Sequence, residues 1–148
     1  MNLSKVTKVT SAVTPTAGAA GTTDIEGTTL DMQGFDGVMA IVRMGTITST
    51  AVTSIKMQQG AASDLSDAAD LLGTAITVAD DDDGQTFIID LYKPRERYVR
   101  VYVDRGTANA VVASAEYVQY GPRNIPTTMN VTDAVTCETH ISPAEGTA

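Results

Sequence analysis

The sequence predicts an all-β protein, a β-sandwich of jelly-roll or related Greek-key type with about eight strands and one short helix. Two observations lead to this fold class. The composition includes 22 Thr and 15 Val among 148 residues, and β-branched side chains fit a pleated strand better than a helix. Apolar and polar residues also alternate in several short segments separated by turn residues. The pattern leaves open whether the strands form a sandwich or a closed barrel.

Composition divides the chain into three parts. An extended N-terminal arm at 1–21 and a partly ordered C-terminal tail at 127–148 flank a β-sandwich domain at 22–126. The middle of the arm, at 6–13, is expected to form a strand on contact, and a frayed terminus is the alternative. The tail contains one further predicted strand at 129–136.

Strand-length segments follow one another through the domain, with short turns between them. The segment at 38–44 is largely apolar, which predicts a central, buried strand. Farther along, Val99, Val101 and Val103 alternate with larger polar residues and are expected to face the core. The remaining predicted strands are at 21–26, 27–32, 46–59, 74–78, 86–92 and 110–121.

One segment breaks the strand pattern. From 63 to 73 the apolar residues recur at helical spacing. Ser63 or Asp64 is placed to cap the N-terminus of a helix, and Gly73 is placed to end it. We therefore expect one short helix here, with its three aspartates on a solvated face.

Charge and hydropathy exclude some classes of partner. The formal net charge of -8 and the pI of about 4.4 argue against nucleic-acid binding, which depends on clustered Lys and Arg. The N-terminus lacks the apolar run of about 7 to 15 residues that marks a secretory signal, and no segment approaches the roughly 18 apolar residues of a membrane span. We expect no membrane partner and assembly in a host cytoplasm.

Residues suited to catalysis are scarce. His140 is the only histidine and lies in the tail, so neither a Ser–His nor a Cys–His pair is expected and the chain is not predicted to be an enzyme. Cys137 and His140 are too few for a tetrahedral zinc site, and no cofactor motif is present. With a single cysteine the fold must rest on packing and not on an intrachain disulfide. No metal and no cofactor are expected.

The run Asp80 to Asp83, just before Gly84, has two interpretations. Several carboxylates at one turn suit calcium, and Asp81, Asp83 and Asp90 match ligand positions of the helix–loop–helix calcium pattern. The first ligand position is Ala79, however, and the flanking segments are predicted strands. A hairpin turn at Asp83–Gly84, made soluble by its acids, accounts better for the sequence.

The segment Thr86 to Arg105 contains five of the ten basic residues of the chain and follows a stretch rich in aspartate. One interpretation is a solvated hairpin, in which Arg97 or Arg100 pairs with Glu96, Asp90 or Asp104. The other is that Arg95, Arg97 and Arg100 dock on an acidic surface, since guanidinium groups bind carboxylates bidentately. The candidate protein-contact residues are Lys93, Arg95, Arg97 and Arg100, together with Lys5 and Lys8 in the arm.

The order of these segments resembles a known family. The strings GTTDIEGTTLDMQGFDGVMAIVRMG, TAITV, TFIIDLY, YVRVYVD and YGPRNIP, within about 20–126, are similar in style and strand order to the capsid decoration or cement proteins of tailed bacteriophages that have a jelly-roll fold. No single motif carries the resemblance.

The resemblance implies a role in assembly. A decoration protein binds the outside of the phage head as a dimer or trimer, contacts the major capsid protein and bridges neighbouring subunits on the surface of the virion. Two alternatives stay open: a carbohydrate- or receptor-binding sandwich module, and another virion component such as a head-completion or tail protein.

Overall fold

A computed structural model describes residues 2–129, 135–142 and 144–146. Within these ranges the chain forms ten strands and one short 3₁₀ turn at Leu3–Lys5. The strands are β1 Lys8–Val13, β2 Ile25–Glu26, β3 Leu30–Asp31, β4 Phe35–Ile47, β5 Val52–Gly60, β6 Ala69–Asp70, β7 Ile76–Val78, β8 Thr86–Tyr92, β9 Tyr98–Gly106 and β10 Ala110–Pro122. The predicted all-β class is confirmed.

The strands form two antiparallel sheets. The first has four strands in the order β1-β10-β4-β8. In the second, β9 and β5 lie side by side at the centre, β2 and β3 pair with β9, and β6 and β7 pair with β5. The chain changes sheet between β1 and β2, between β3 and β4, between β4 and β5, and again at each connection from β7 to β10. Two separate sheets make the fold a sandwich and not a closed barrel.

The core lies between the two sheets. Val99, Val101 and Val103 are fully buried there, as their alternation predicts. The predicted central strand at 38–44 lies within β4, between β10 and β8. Tyr117 of β10 crosses the core, and its hydroxyl accepts a hydrogen bond of 2.8 Å from the backbone N–H of Val101 in the other sheet. Burial raises the pKa of Tyr117, so this hydroxyl keeps its proton.

The prediction of a helix at 63–73 is wrong. Leu65 is buried with a φ of +54°, a left-handed conformation that a right-handed helix does not contain. Leu72, which helical spacing places on the apolar face, is fully exposed. Ala69–Asp70 instead forms strand β6, which pairs with β5.

Two aspartates explain why this segment is a loop. The carboxylate of Asp67 accepts hydrogen bonds from the backbone N–H groups of Ala61, at 2.9 Å, and Ala62, at 3.1 Å. Such side-chain bonds to the backbone compete with helix formation. Asp70 forms an ion pair of 2.9 Å with Lys56 on β5, so it belongs to a sheet surface and not to a solvated helix face.

The prediction of a hairpin turn at Asp83–Gly84 is also wrong. Gly84 does have a positive φ of 73°, which suits a tight turn. The strands on its two sides, β7 and β8, belong to different sheets, however. The basic segment at 93–97 likewise joins β8 in one sheet to β9 in the other. Both segments are therefore sheet-to-sheet connections at the ends of the sandwich.

The residues assigned to the arm contribute to the sandwich. Strand β1 pairs with β10, and its residues Ala12 and Val13 are buried in the core. The strand predicted in the arm is therefore present, but it pairs with β10 of the same chain. Most of the strand predicted at 129–136 lies outside the described residues.

Candidate functional site

A cleft of about 410 Å³ lies at the end of the sandwich where β4 begins and β8 ends. Residues 32–36, residues 93–97 and Arg123 form its walls. The charged residues of the cleft are Lys93, Arg95, Arg97, Arg123, Asp36 and Glu96. The structure thus brings together three of the six predicted contact residues and adds a fourth cation.

Backbone hydrogen bonds hold the walls of the cleft in place. The N–H of Lys93 donates to the carbonyl of Asp36 at 2.7 Å, and the N–H of Arg123 donates to the carbonyl of Gly34 at 2.9 Å. Lys93 has a φ of +51°, which is unusual for a residue other than glycine and persists only where the surrounding structure fixes it. The position of Lys93 is therefore set by the fold.

Arg97 is already engaged within the chain. Its Nε and Nη2 atoms donate to the two carboxylate oxygens of Asp31 at 2.9 and 2.7 Å, and Nη2 also donates to Oε1 of Gln33 at 2.6 Å. The hydrogen bonds from Arg97 lower the pKa of Asp31, and the charge of Lys8 lowers it further. Arg97 is therefore a structural part of the cleft wall, and its donors point to groups of its own chain.

Arg100 lies away from the cleft, on the outer face of the second sheet. Its side chain is 11% exposed, and it forms an ion pair of 2.8 Å with Glu26 and a hydrogen bond of 2.7 Å with Gln58. Both Arg97 and Arg100 thus have partners other than the predicted Glu96, Asp90 and Asp104. Arg100 holds β2, β9 and β5 together and is not placed for docking.

The other three cations of the cleft are exposed. Within the described part of the chain, no carboxylate oxygen lies within 4 Å of the side-chain nitrogens of Lys93, Arg95 or Arg123. The backbone N–H of Arg95 donates to Gln59 at 3.2 Å, which positions the residue while leaving its guanidinium exposed. The ammonium of Lys93 lies 5.1 Å from the centre of the Tyr92 ring. This arrangement leaves three positive charges able to bind an anionic partner.

The two predicted contact residues of the arm differ in position. Lys8 lines a depression that shares residues 33–35 with the cleft, so its charge adds to the same end of the molecule. Lys5 instead borders a depression formed with residues 126–129 and Thr139. Only Lys8 belongs with the cleft.

Arg123 is a residue of the cleft that no pattern in the sequence indicated. It follows β10 directly, after Pro122, and it reaches the cleft because β8 and β10 both run antiparallel to β4. Their C-terminal ends therefore lie at the same end of the sandwich. The sequence shows a cation at the end of a predicted strand. Which residues lie beside that cation in the structure depends on the strand order.

The aspartates of the predicted calcium turn serve the backbone. Asp83 accepts a hydrogen bond of 2.7 Å from the N–H of Ile47, and Asp80 accepts one of 2.9 Å from the N–H of Thr50. These bonds tie the connection between β7 and β8 to the end of β4. In the ranges that the structure describes, no three His, Cys, Asp or Glu side chains come together as a metal site.

Removing divalent cations is expected to leave the stability unchanged, because one oxygen of Asp80 and one of Asp83 already accept backbone N–H groups and the described residues bring no three possible ligands together. Thermal melts monitored by circular dichroism, with added calcium and with a chelator, measure this directly. A melting temperature that rises with calcium and falls with the chelator would show that the turn binds the ion. Asp81→Asn is the matched variant for locating such an effect.

The tail residues Cys137 and His140 do not form a site with the cleft. His140 lies 3.0 Å from the carboxylate of Glu138, and both side chains are exposed. Within the described residues there is also no helix with the length and hydropathy to cross a membrane.

The fold and the cleft define an antiparallel β-sandwich with a charged cleft at one end of its strands. A solved structure with a similar fold is that of the exported protein XepA of phage PBSX, with a TM-score of 0.51 and 16% sequence identity. The match covers 96% of this chain and 45% of XepA, so the chain spans less than half the length of that protein. At this identity the likeness establishes the fold. No family model and no curated protein matches the chain.

Proposed function

We propose that this chain is a structural, non-catalytic protein of a phage particle that decorates the outer surface of the capsid. In this proposal the cleft docks on an acidic patch of the major capsid protein. The similarity in fold to a phage protein supports a phage-associated role. The order of strands, which resembles that of decoration proteins, supports the capsid surface as the location.

The observation that carries the proposal is the set of free cations in the cleft. Lys93, Arg95 and Arg123 are held at one end of the sandwich by backbone hydrogen bonds and have no carboxylate partner in the described chain. Guanidinium forks bind carboxylates bidentately, and because the fork is planar less side-chain entropy is lost for each hydrogen bond that forms. Asp36 and Glu96 in the same cleft repel an acidic partner whose carboxylates would lie beside them. This repulsion adds specificity for a partner whose carboxylates lie beside the cations.

A second candidate function follows from the similar structure. XepA is an exported protein, so this chain is alternatively a phage product that acts outside the particle. Sedimentation of a phage lysate, with detection by antibody, separates the two. Co-sedimentation with heads supports decoration, co-sedimentation with tails supports another virion component, and recovery only in the soluble fraction contradicts both particle locations.

Reversing one charge in the cleft tests the docking mode. Arg95→Glu is expected to weaken binding to phage heads prepared without this chain by about tenfold or more, because it places like charges in contact. Binding is measured as copies per head against free concentration. Arg43→Glu makes the same change in charge at an exposed position on β4, far from the cleft, and is expected to bind like the wild type. Equal binding by both variants would exclude the cleft as the docking site.

A further inference from the structure

The two edges of the four-stranded sheet differ in whether other residues of the chain cover their backbone groups. At the β1 edge, the N–H and hydroxyl of Thr127 donate to the carbonyls of Lys5 and Thr7, each at 2.8 Å. The N–H of Val9 contacts the sulfur of Met129 at 3.2 Å. Residues 127–129 thus run beside the segment that leads into β1 and beside its first residues, where they occupy backbone groups that would otherwise be exposed.

The β8 edge has no such cover. The N–H of Lys93 donates to the carbonyl of Asp36, and the N–H of Met44 donates to the carbonyl of Gln85. With the register of the two strands, these bonds determine which residues of β8 direct their backbone groups toward β4. Residues 87, 89 and 91 therefore direct their N–H and C=O groups toward β4. The residues that direct these groups outward are Thr86, Ile88, Asp90 and Tyr92. Within the described chain none of their backbone groups has a partner.

Apart from the single charge of Asp90, the exposed edge also lacks the features that normally prevent pairing. Between Thr86 and Tyr92 there is no Pro, Lys or Gly, and the register with β4 continues without a bulge. Ile88 is 53% exposed and Tyr92 is 60% exposed. An uncovered strand of seven residues with exposed apolar side chains is a template for another strand.

We propose that β8 pairs with β8 of a second copy of this chain, antiparallel, about a two-fold axis perpendicular to the sheet. An outward row of alternating N–H and C=O groups is complementary to itself under such an axis, and a second copy supplies a strand of the same seven-residue length, so that each outward residue finds a partner. The two four-stranded sheets then become one continuous sheet of eight strands. Because β8 ends at Tyr92, Lys93 adjoins this interface with its ammonium 5.1 Å from the centre of the Tyr92 ring, whereas Arg95 and Arg123 lie outside β8.

The side chains specify the register. A register centred on Ile89 places Thr86 opposite Tyr92 of the second copy and Ile88 opposite Asp90 of the second copy. All four outward residues of each strand are then paired, with about eight hydrogen bonds. A register centred on Asp90 places two aspartates opposite each other, which is unfavourable. One centred on Ile88 leaves Tyr92 unpaired.

Sedimentation equilibrium tests the interface through two variants at one position. The wild type is expected at twice its monomer mass of 15.5 kDa. Ile88→Pro removes an N–H that is unbonded in the monomer, which an edge strand tolerates, and it is expected to raise the dissociation constant by about tenfold or more. Ile88→Ala keeps the N–H and is expected to remain a dimer. A monomeric or trimeric wild type, or equal loss of the dimer in both variants, would overturn the proposal.

Amide hydrogen exchange on the unmodified protein gives an independent test that does not depend on a variant folding. The amides of residues 87, 89 and 91 are expected to be protected at all concentrations. Those of residues 88, 90 and 92 become protected only at concentrations where the dimer forms. Uniform exchange of both sets would contradict the interface. A dimer with this pattern that fails to bind phage heads would retain the interface and remove the proposed function.

Discussion

Replacing Arg105 with methionine is expected to lower the free energy of unfolding by about 3 kcal/mol, because three backbone carbonyls, of which that of Ala110 is buried, lose a charged donor. Arg105 is 9% exposed, and its guanidinium donates to the carbonyls of Thr23 at 2.6 Å, Ala19 at 2.7 Å and Ala110 at 2.8 Å. Methionine fills similar space but donates to none of them. The loop before β2 then loses its attachment to β10.

Urea unfolding measures this change as a lower midpoint with an unchanged slope. Arg43→Met is the control, since Arg43 is exposed and its replacement is expected to cost less than about 0.5 kcal/mol. Arg105→Lys keeps the charge but is expected to recover only part of the loss, because one ammonium group cannot match the planar fork of the guanidinium. A methionine variant within about 1 kcal/mol of the wild type would show that water replaces the lost donors.

The alternation of β9 could have identified the role of Arg105 from sequence. Val99, Val101 and Val103 are predicted to face the core, and Arg105 has the same parity. The inward-facing positions of the strand therefore include this arginine, which is buried in the structure. The count of basic residues in the segment does not separate this buried arginine from Arg95 and Arg97, which are exposed. The period of the strand was the better guide.

The alternation of β5 and β9 predicted which residues share a face, but not which residues meet. Arg100 pairs with Glu26 because β2 lies beside β9, and Lys56 contacts Asp104 because β5 pairs with β9 in one register. A change of one residue in register would exchange these partners. The strand order across the two sheets is a long-range property, and a single sequence does not contain it in any local pattern.

The helix prediction at 63–73 failed for a local reason. Apolar spacing and a capping residue favour a helix, but the carboxylate of Asp67 binds backbone N–H groups that precede it. Leu65 then enters the core from a left-handed conformation. Aspartate is common both at helix N-termini and in loops of this kind, so its presence alone does not distinguish the two.

The two proposals have a joint geometric consequence. In a β8 pair centred on Ile89, the Lys93 residues of the two copies lie eight positions apart along the strand direction, or about 27 Å. The dimer would therefore present two cationic clefts at opposite ends of one continuous sheet. A bivalent contact of this kind raises the overall affinity without any new contact, provided that both acidic patches lie within reach.

Replacing Gly27 with alanine is expected to cost about 2–3 kcal/mol, through overpacking in the core. A Cβ atom at this position would lie 2.7 Å from the Tyr117 hydroxyl and 2.8 Å from the carbonyl oxygen of Val101. Gly106→Ala makes the same change where the nearest atom is at 3.9 Å, and it is expected to cost less than about 0.5 kcal/mol. Equal effects of the two substitutions would show that the close approach at Gly27 is relieved easily.

Tyr117→Phe is expected to cost about 1–3 kcal/mol, because it leaves a buried N–H without an acceptor. That N–H belongs to Val101, which lies in the gap between β2 and β3, where β9 has no neighbouring strand. Since Tyr117→Phe also removes the hydroxyl oxygen that a Cβ at position 27 would strike, the double variant is expected to cost about 1 kcal/mol less than the sum of the singles. Additive costs in urea unfolding would show that the contacts with Val101, from its Cγ1 at 2.7 Å and its carbonyl oxygen at 2.8 Å, are enough to require glycine at position 27.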